Sequence, residues 1–168
     1  MRRNILRAAA MAGVAACLPA VTVFPAAADD VTAGDLRIGR PWTRAVGERA
    51  PTAAGYMAIR NTGSTPDRLL GAESPRATRI ELHEMSVTDG VMRMRPLPDG
   101  IALPSGDEIR LAPGGLHLMI IGPQGGFVQG TTIPATLIFA RAGRVQVELA
   151  VQAPGARDAG TADKHSGH

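Results

Sequence analysis

Residues 79–97, RIELHEMSVTDGVMRMRPL, are the stretch on which the fold turns. Arg79 to Met85 alternates apolar Ile80 and Leu82 with Arg79, Glu81 and His83, the period of a half-buried strand. Asp89-Gly90 is the dipeptide of a tight hairpin turn, and Val91 to Leu97 reads as the returning strand. The same grammar recurs on both sides. Ala53 to Arg60 is β-like and stops at Asn61-Thr62-Gly63. Ser105-Gly106-Asp107 precedes Glu108 to Leu111, and Pro113-Gly114-Gly115 opens into Leu116 to Ile121. Thr136 to Ala140 and Val145 to Val151 flank Arg141-Ala142-Gly143-Arg144, a second hairpin. No window keeps a helical period for three turns. Many short strands between Leu36 and Val151 predict an all-β, Greek-key β-sandwich spanning residues 29–151. From Gln152 to His168 the apolar residues run out, and a disordered tail is expected there.

Ahead of this domain lies a different kind of segment. MRRNILR is basic, an alanine-rich apolar run follows, and Ala26-Ala27-Ala28 precedes Asp29, which predicts a removed signal peptide over residues 1–28. Arg2-Arg3 resembles a twin-arginine export signal, and Val14-Ala15-Ala16-Cys17 resembles a lipoprotein processing site. The residues after Cys17 stay apolar, so cleavage after Ala28 is the expectation, with export to the periplasm and no stable membrane insertion afterwards.

The leader accounts for the chain's apparent charge. The full 168 residues carry 18 Lys+Arg against 15 Asp+Glu, with a formal charge of +3. Arg2, Arg3 and Arg7 leave with the signal, so 15 basic groups face 15 acidic ones and the exported chain is formally neutral. With few aromatics and no basic stripe, a nucleic-acid partner is excluded. The single cysteine, Cys17, leaves too, which excludes a disulfide framework and any thiolate metal site.

The scarce donor residues fall in a pattern. Apart from Met57, the methionines after the leader pair with each other or with histidine at a spacing of two: His83-x-Met85, Met92-x-Met94 and His117-x-Met119. In a strand, residues i and i+2 share a face, so each pair presents two donors together. The first two pairs straddle Asp89-Gly90 and can lie side by side. The third follows the Gly114-Gly115 bend and is expected to meet them by packing across a loop. Thioether is a soft ligand that favours Cu(I), whereas zinc sites use cysteine, histidine and carboxylate. Blue copper needs a thiolate that this chain lacks after export. Such a cluster would hold Cu(I) for transport. Read singly, each methionine is core filler and each histidine an ordinary strand residue.

The segment from Ile80 to Pro123, with ELHEM, MRMRPL and LAPGGLHLMIIG, resembles the periplasmic PCuAC-type copper chaperones. That family's signature is a histidine, a methionine some ten residues on, and a distal His-x-Met. Here these positions fall on His83, Met94, His117 and Met119. Ten residues lie between His83 and Met94, and 22 between Met94 and His117, slightly more than the family's common form. A loop around Pro98 to Ser105 is expected to absorb the difference. Pro41-Trp42-Thr43-Arg44, Ala53-Ala54-Gly55-Tyr56-Met57 and Asp67-Arg68-Leu69-Leu70-Gly71 extend the likeness over the domain.

The resemblance implies a cupredoxin-like β-sandwich and one Cu(I) bound by those four residues. It also implies a copper-acceptor partner, either a cytochrome c oxidase subunit carrying the CuA centre or another copper chaperone. Both imidazoles must be deprotonated to bind, so retention is expected to weaken below roughly pH 6.5. The chain is read as a monomer and not as an enzyme.

Met85 and Met92 are read first as packing beside the site, with auxiliary ligation as the functional alternative. His165 and His168 in the tail suggest a weak Cu(II) site, with a solvated tail the plainer reading. Trp42 and Tyr56 read as core, and Arg93 and Arg95 as a solvated face pointing away from the methionines. Two other functions stay open at this point: a mononuclear copper enzyme, and a structural or adhesion β-sandwich in which the methionines are core.

Overall fold

The computed structural model describes residues 29–160. The leader, with Arg2, Arg3 and Cys17, and the tail residues His165 and His168 lie outside them. Eleven strands form: β1 (Val31–Ala33), β2 (Leu36–Arg44), β3 (Thr52–Asn61), β4 (Asp67–Glu73), β5 (Ala77–Thr88) and β6 (Val91–Pro96). They continue with β7 (Ile101–Leu103), β8 (Glu108–Leu111), β9 (Leu116–Pro123), β10 (Thr132–Phe139) and β11 (Gly143–Gln152). There is no helix among the described residues, and so none long and apolar enough to cross a membrane.

The strands hydrogen-bond in the order β6-β5-β9-β8-β3-β2-β11-β10-β4-β7. β9 also pairs directly with β3, and a single Ala72–Ile80 bridge joins β4 to β5. The sheet therefore curls round and nearly closes, its two halves facing each other across one core. All pairings are antiparallel except β11 with β2 and the one-residue contact of β8 with β9.

Alternation fills this core. β3 turns Ala53, Gly55, Met57 and Ile59 inward, and β9 turns Leu118 and Ile120 inward; β10 and β11 contribute Ile133, Leu137, Val145, Val147 and Leu149. Met57 is core, as its isolation in the sequence suggests. Its neighbours on the same strands face out, and that outward face carries the candidate site.

The Asp89-Gly90 turn is as expected. Asp89 (φ 53°) and Gly90 (φ 76°) both occupy the left-handed region that a two-residue hairpin of this hand requires. Two expectations change. The stretch Pro98 to Ser105 is not a plain loop, because Ile101–Leu103 forms β7 against β4, and Asn61 Nδ2 donates to the Leu103 carbonyl. Three residues between Gly100 and Pro104 are too short to show a period. The stretch beyond Gln152 also packs at first: Ala156 and Ala159 lie against Trp42 and Tyr56, and Arg44 Nε donates to the Ala156 carbonyl at 2.8 Å.

Candidate metal centre

Three adjacent strands, β6, β5 and β9, bring the donor pairs together. Residues directly opposite in a pair of strands share a face. His83 lies opposite His117, and Glu81 opposite Met119. On the other side of β5, Met85 lies opposite Met94 and Val87 opposite Met92. Glu81, His83, Met85, Met92, Met94, His117 and Met119 thus line one outward face, while Ile80, Leu82, Leu118 and Ile120 enter the core behind it. The third donor pair joins through strand pairing, β9 lying hydrogen-bonded to β5, and not across a loop as the sequence suggested.

Relative to the histidine pair, Met94 lies one step towards the hairpin turn and Met119 one step away from it. Long thioether chains on either side can converge over the imidazoles at these diagonal spacings. The two rings stand 5.9 Å apart, centroid to centroid, tilted by 56°.

The hydrogen bonds decide which nitrogens are left for a metal. Glu81 Oε2 lies 2.9 Å from His83 Nε2. Hydrogen bonds from Arg79 and then from His83 hold the Glu81 carboxyl below its ordinary range, so it is ionised near neutrality and can only accept. The proton of neutral His83 therefore sits on Nε2, and its lone pair on Nδ1. That Nδ1 is buried with no hydrogen-bond partner among the described residues. In His117 the pattern is reversed: Nδ1 lies 2.9 Å from the Gly115 carbonyl and donates to it, leaving the lone pair on Nε2. Both imidazoles are held in fixed tautomers, each with one basic nitrogen uncommitted.

An unpartnered buried nitrogen costs about 1–3 kcal/mol, a cost that a soft cation seated there removes. Among the described residues no three His, Cys, Asp or Glu side chains gather into a metal-holding group. The other donors on this face are thioethers, soft ligands of a kind that zinc sites do not use.

Exposure sorts the donors. His117 is buried at 4% and the His83 side chain is 14% exposed, whereas Met94 is 45% and Met92 66% exposed. The expectation that Met92 packs beside the site does not hold, because β6 is a sheet edge and no layer among the described residues covers it. Met85 is half-buried. Arg93 and Arg95 do point away, and Arg95 pairs with Glu84 at 2.6 Å on the reverse face. Glu81 and the Gly115 carbonyl were not singled out from the sequence. The signal for Glu81 was present, since it sits two residues before His83 and must share its face.

A family model described as LpqE-like matches residues 36–151. A relative from Leifsonia xyli subsp. xyli (strain CTCB07), Lxx21020, named as a lipoprotein, is 32% identical over 129 residues, covering 77% of this chain and 74% of its own. Among solved structures, the copper-bound PCuAC domain from PmoF2 is 30% identical with a TM-score of 0.64, covering 74% of this chain and 98% of that domain. Cu(I)-loaded DR1885 from Deinococcus radiodurans is 27% identical with a TM-score of 0.55, over 68% of this chain and 76% of that one. The all-β, cupredoxin-like architecture is shared with these domains.

Proposed function

This chain belongs to the LpqE-like family and is built as a PCuAC-type domain, and from that premise we propose that it is a Cu(I)-binding metallochaperone of the bacterial envelope. His83, Met94, His117 and Met119 hold one Cu(I). His83 binds through Nδ1 and His117 through Nε2, the two nitrogens whose lone pairs no hydrogen bond uses. The observation that carries this reading is the buried, unpartnered Nδ1 of His83, 5.9 Å ring to ring from a second imidazole and flanked by thioethers.

Copper is cargo here. The protein's part is to orient both imidazoles through the Glu81 and Gly115 hydrogen bonds, to supply soft sulfur, and to leave one side of the site open for exchange into a partner. The acceptor is the CuA site of cytochrome c oxidase, reached directly or through another copper chaperone, and the chain acts without catalysing a reaction. The copper-loaded relatives support the metal, and the family resemblance supports the acceptor.

The basic, alanine-rich leader supports a periplasmic location for the working domain. Relatives named as lipoproteins support export and bring Cys17 forward as an anchor, which mass spectrometry of the purified chain separates from cleavage after Ala28.

Anaerobic titration with Cu(I) is expected to saturate at one equivalent per chain. The Met94→Leu/Met119→Leu double variant is expected to bind far more weakly; unchanged affinity in that variant overturns the ligand set.

A further inference from the structure

Copper bound among His83, Met94, His117 and Met119 has to leave again, and the depth of the donors dictates where. His117 is buried and His83 and Met119 are partly buried, so an incoming ligand meets them last. The most exposed of the four donors is Met94, on the edge strand β6. Directly opposite Met94 stands Met85, and two residues before Met94, on the same face, stands Met92. The alternation of β6 sorts its side chains, with both thioethers on the donor face and Arg93 and Arg95 on the reverse. Packing does not account for Met92, whose cross-strand neighbour Val87 is itself exposed, as is Val91 beside the turn. A thioether left two-thirds exposed, set beside two others on a face already holding soft donors, is suited to soft-metal exchange.

We propose that Met85, Met92 and Met94 form a second, thioether-only Cu(I) position on the β5–β6 hairpin, through which copper passes from the imidazole site to its acceptor. The inference rests on the function proposed above.

The step is a ligand exchange. The Met94 sulfur keeps its bond to copper, the bonds to His83, His117 and Met119 break, and bonds to Met85 and Met92 form. Each departing donor keeps its lone pair, copper stays Cu(I), and no proton or electron moves. Without imidazoles this outer position binds less tightly, so it yields copper to an acceptor bearing thioether or thiolate donors. Exposed Val87, on the same face directly opposite Met92, gives such an acceptor an apolar residue to rest on.

Two measurements on the full chain test this. In a His83→Ala/His117→Ala variant, Ag(I), a redox-inert stand-in for Cu(I), is expected to shift the ε-methyl resonances of Met85, Met92 and Met94 but not that of buried Met57. No movement of Met85 and Met92 in a folded variant overturns the position. The second measurement keeps both histidines. Transfer from the Cu(I)-loaded chain to a synthetic methionine-rich peptide is followed by stopped flow, with the affinity for Cu(I) determined on the same samples. Met92→Leu is expected to slow transfer about tenfold at matched affinity. A rate equal to wild type, or one that falls only in step with affinity, overturns the relay. A wild-type chain that takes up no Cu(I) overturns the proposed function and the relay together, whereas uptake of one Cu(I) with an unaffected Met92→Leu rate overturns the relay alone.

Discussion

Two clusters share the outer surface of this sheet, and they are treated in opposite ways. Trp42, Tyr56 and Ala150 sit on β2, β3 and β11, with the Trp42 and Tyr56 rings 4.6 Å apart. His83, His117 and the methionines sit on β5, β6 and β9. Ala54 packs with the first cluster and lies opposite Met119 of the second, so the two are neighbours on one face. The aromatic cluster is covered by the chain's own segment after β11, through Ala156, Ala159 and the Arg44 bond to the Ala156 carbonyl. Among the described residues the donor cluster has no such cover: β6 is an edge, and its thioethers are exposed. Where an outward apolar patch is structural the chain spends residues to bury it; where it is chemical the patch stays open.

If this division holds, damage to one cluster should cost stability and damage to the other should cost copper. The largest effect is expected at Trp42. Trp42→Ala should lose about 3–5 kcal/mol of unfolding free energy in chemical denaturation, with Cu(I) affinity preserved in the folded fraction. Loss of copper binding in a stably folded Trp42→Ala protein would join the two regions and break the comparison.

Next come the imidazoles. His117→Ala should weaken Cu(I) by at least about a hundredfold, or about 2.7 kcal/mol. His83→Leu should weaken it comparably. Because that change removes an orphaned buried nitrogen, the copper-free protein should keep its stability or gain about 1 kcal/mol. A large loss of copper-free stability would mean that His83 is structural.

Glu81 sharpens the picture further. Glu81→Ala frees His83 to place its proton on either nitrogen, and should weaken Cu(I) about tenfold. Glu81→Gln keeps an acceptor oxygen and should restore most of the loss. Nitrogen-detected spectra of the imidazoles provide the independent readout, with His83 expected in the Nε2–H form only while an acceptor is present.

The smallest effect concerns Tyr56. Burial pushes its phenol above the ordinary 10.0, with the Arg44 guanidinium over the ring pulling partly back. A raised value means that the folded state holds the proton more tightly than the unfolded chain does. The stability this provides is complete below pH 10 and drains away as pH rises through the raised value. Tyr56→Phe should flatten that part of the alkaline decline and leave copper affinity unchanged.

Much of this was legible in the sequence wherever the signal was local. The β5–β6 hairpin follows from alternation and Asp89-Gly90, and it alone implies that Met85 and Met94 meet. The pairing of β5 with β9 was not legible, because it joins residues 34 apart, His83 with His117, through register that no local pattern encodes. The cover over Trp42 was missed for another reason. Ala156 and Ala159 carry almost no hydrophobic signal, yet both pack against the tilted Trp42 and Tyr56 rings. β7 escaped because three residues cannot show a period, and Met92's exposure because edge and interior strands look alike until neighbours are assigned.

The central claim, that histidine nitrogen and methionine sulfur hold Cu(I) together on the β5–β6–β9 face, is tested most directly by X-ray absorption of the anaerobically loaded protein. A Cu(I) edge with nitrogen and sulfur scatterers in comparable number is expected, the sulfur contribution falling in the Met94→Leu/Met119→Leu variant. A shell of nitrogen and oxygen alone, unchanged by that substitution, would contradict it.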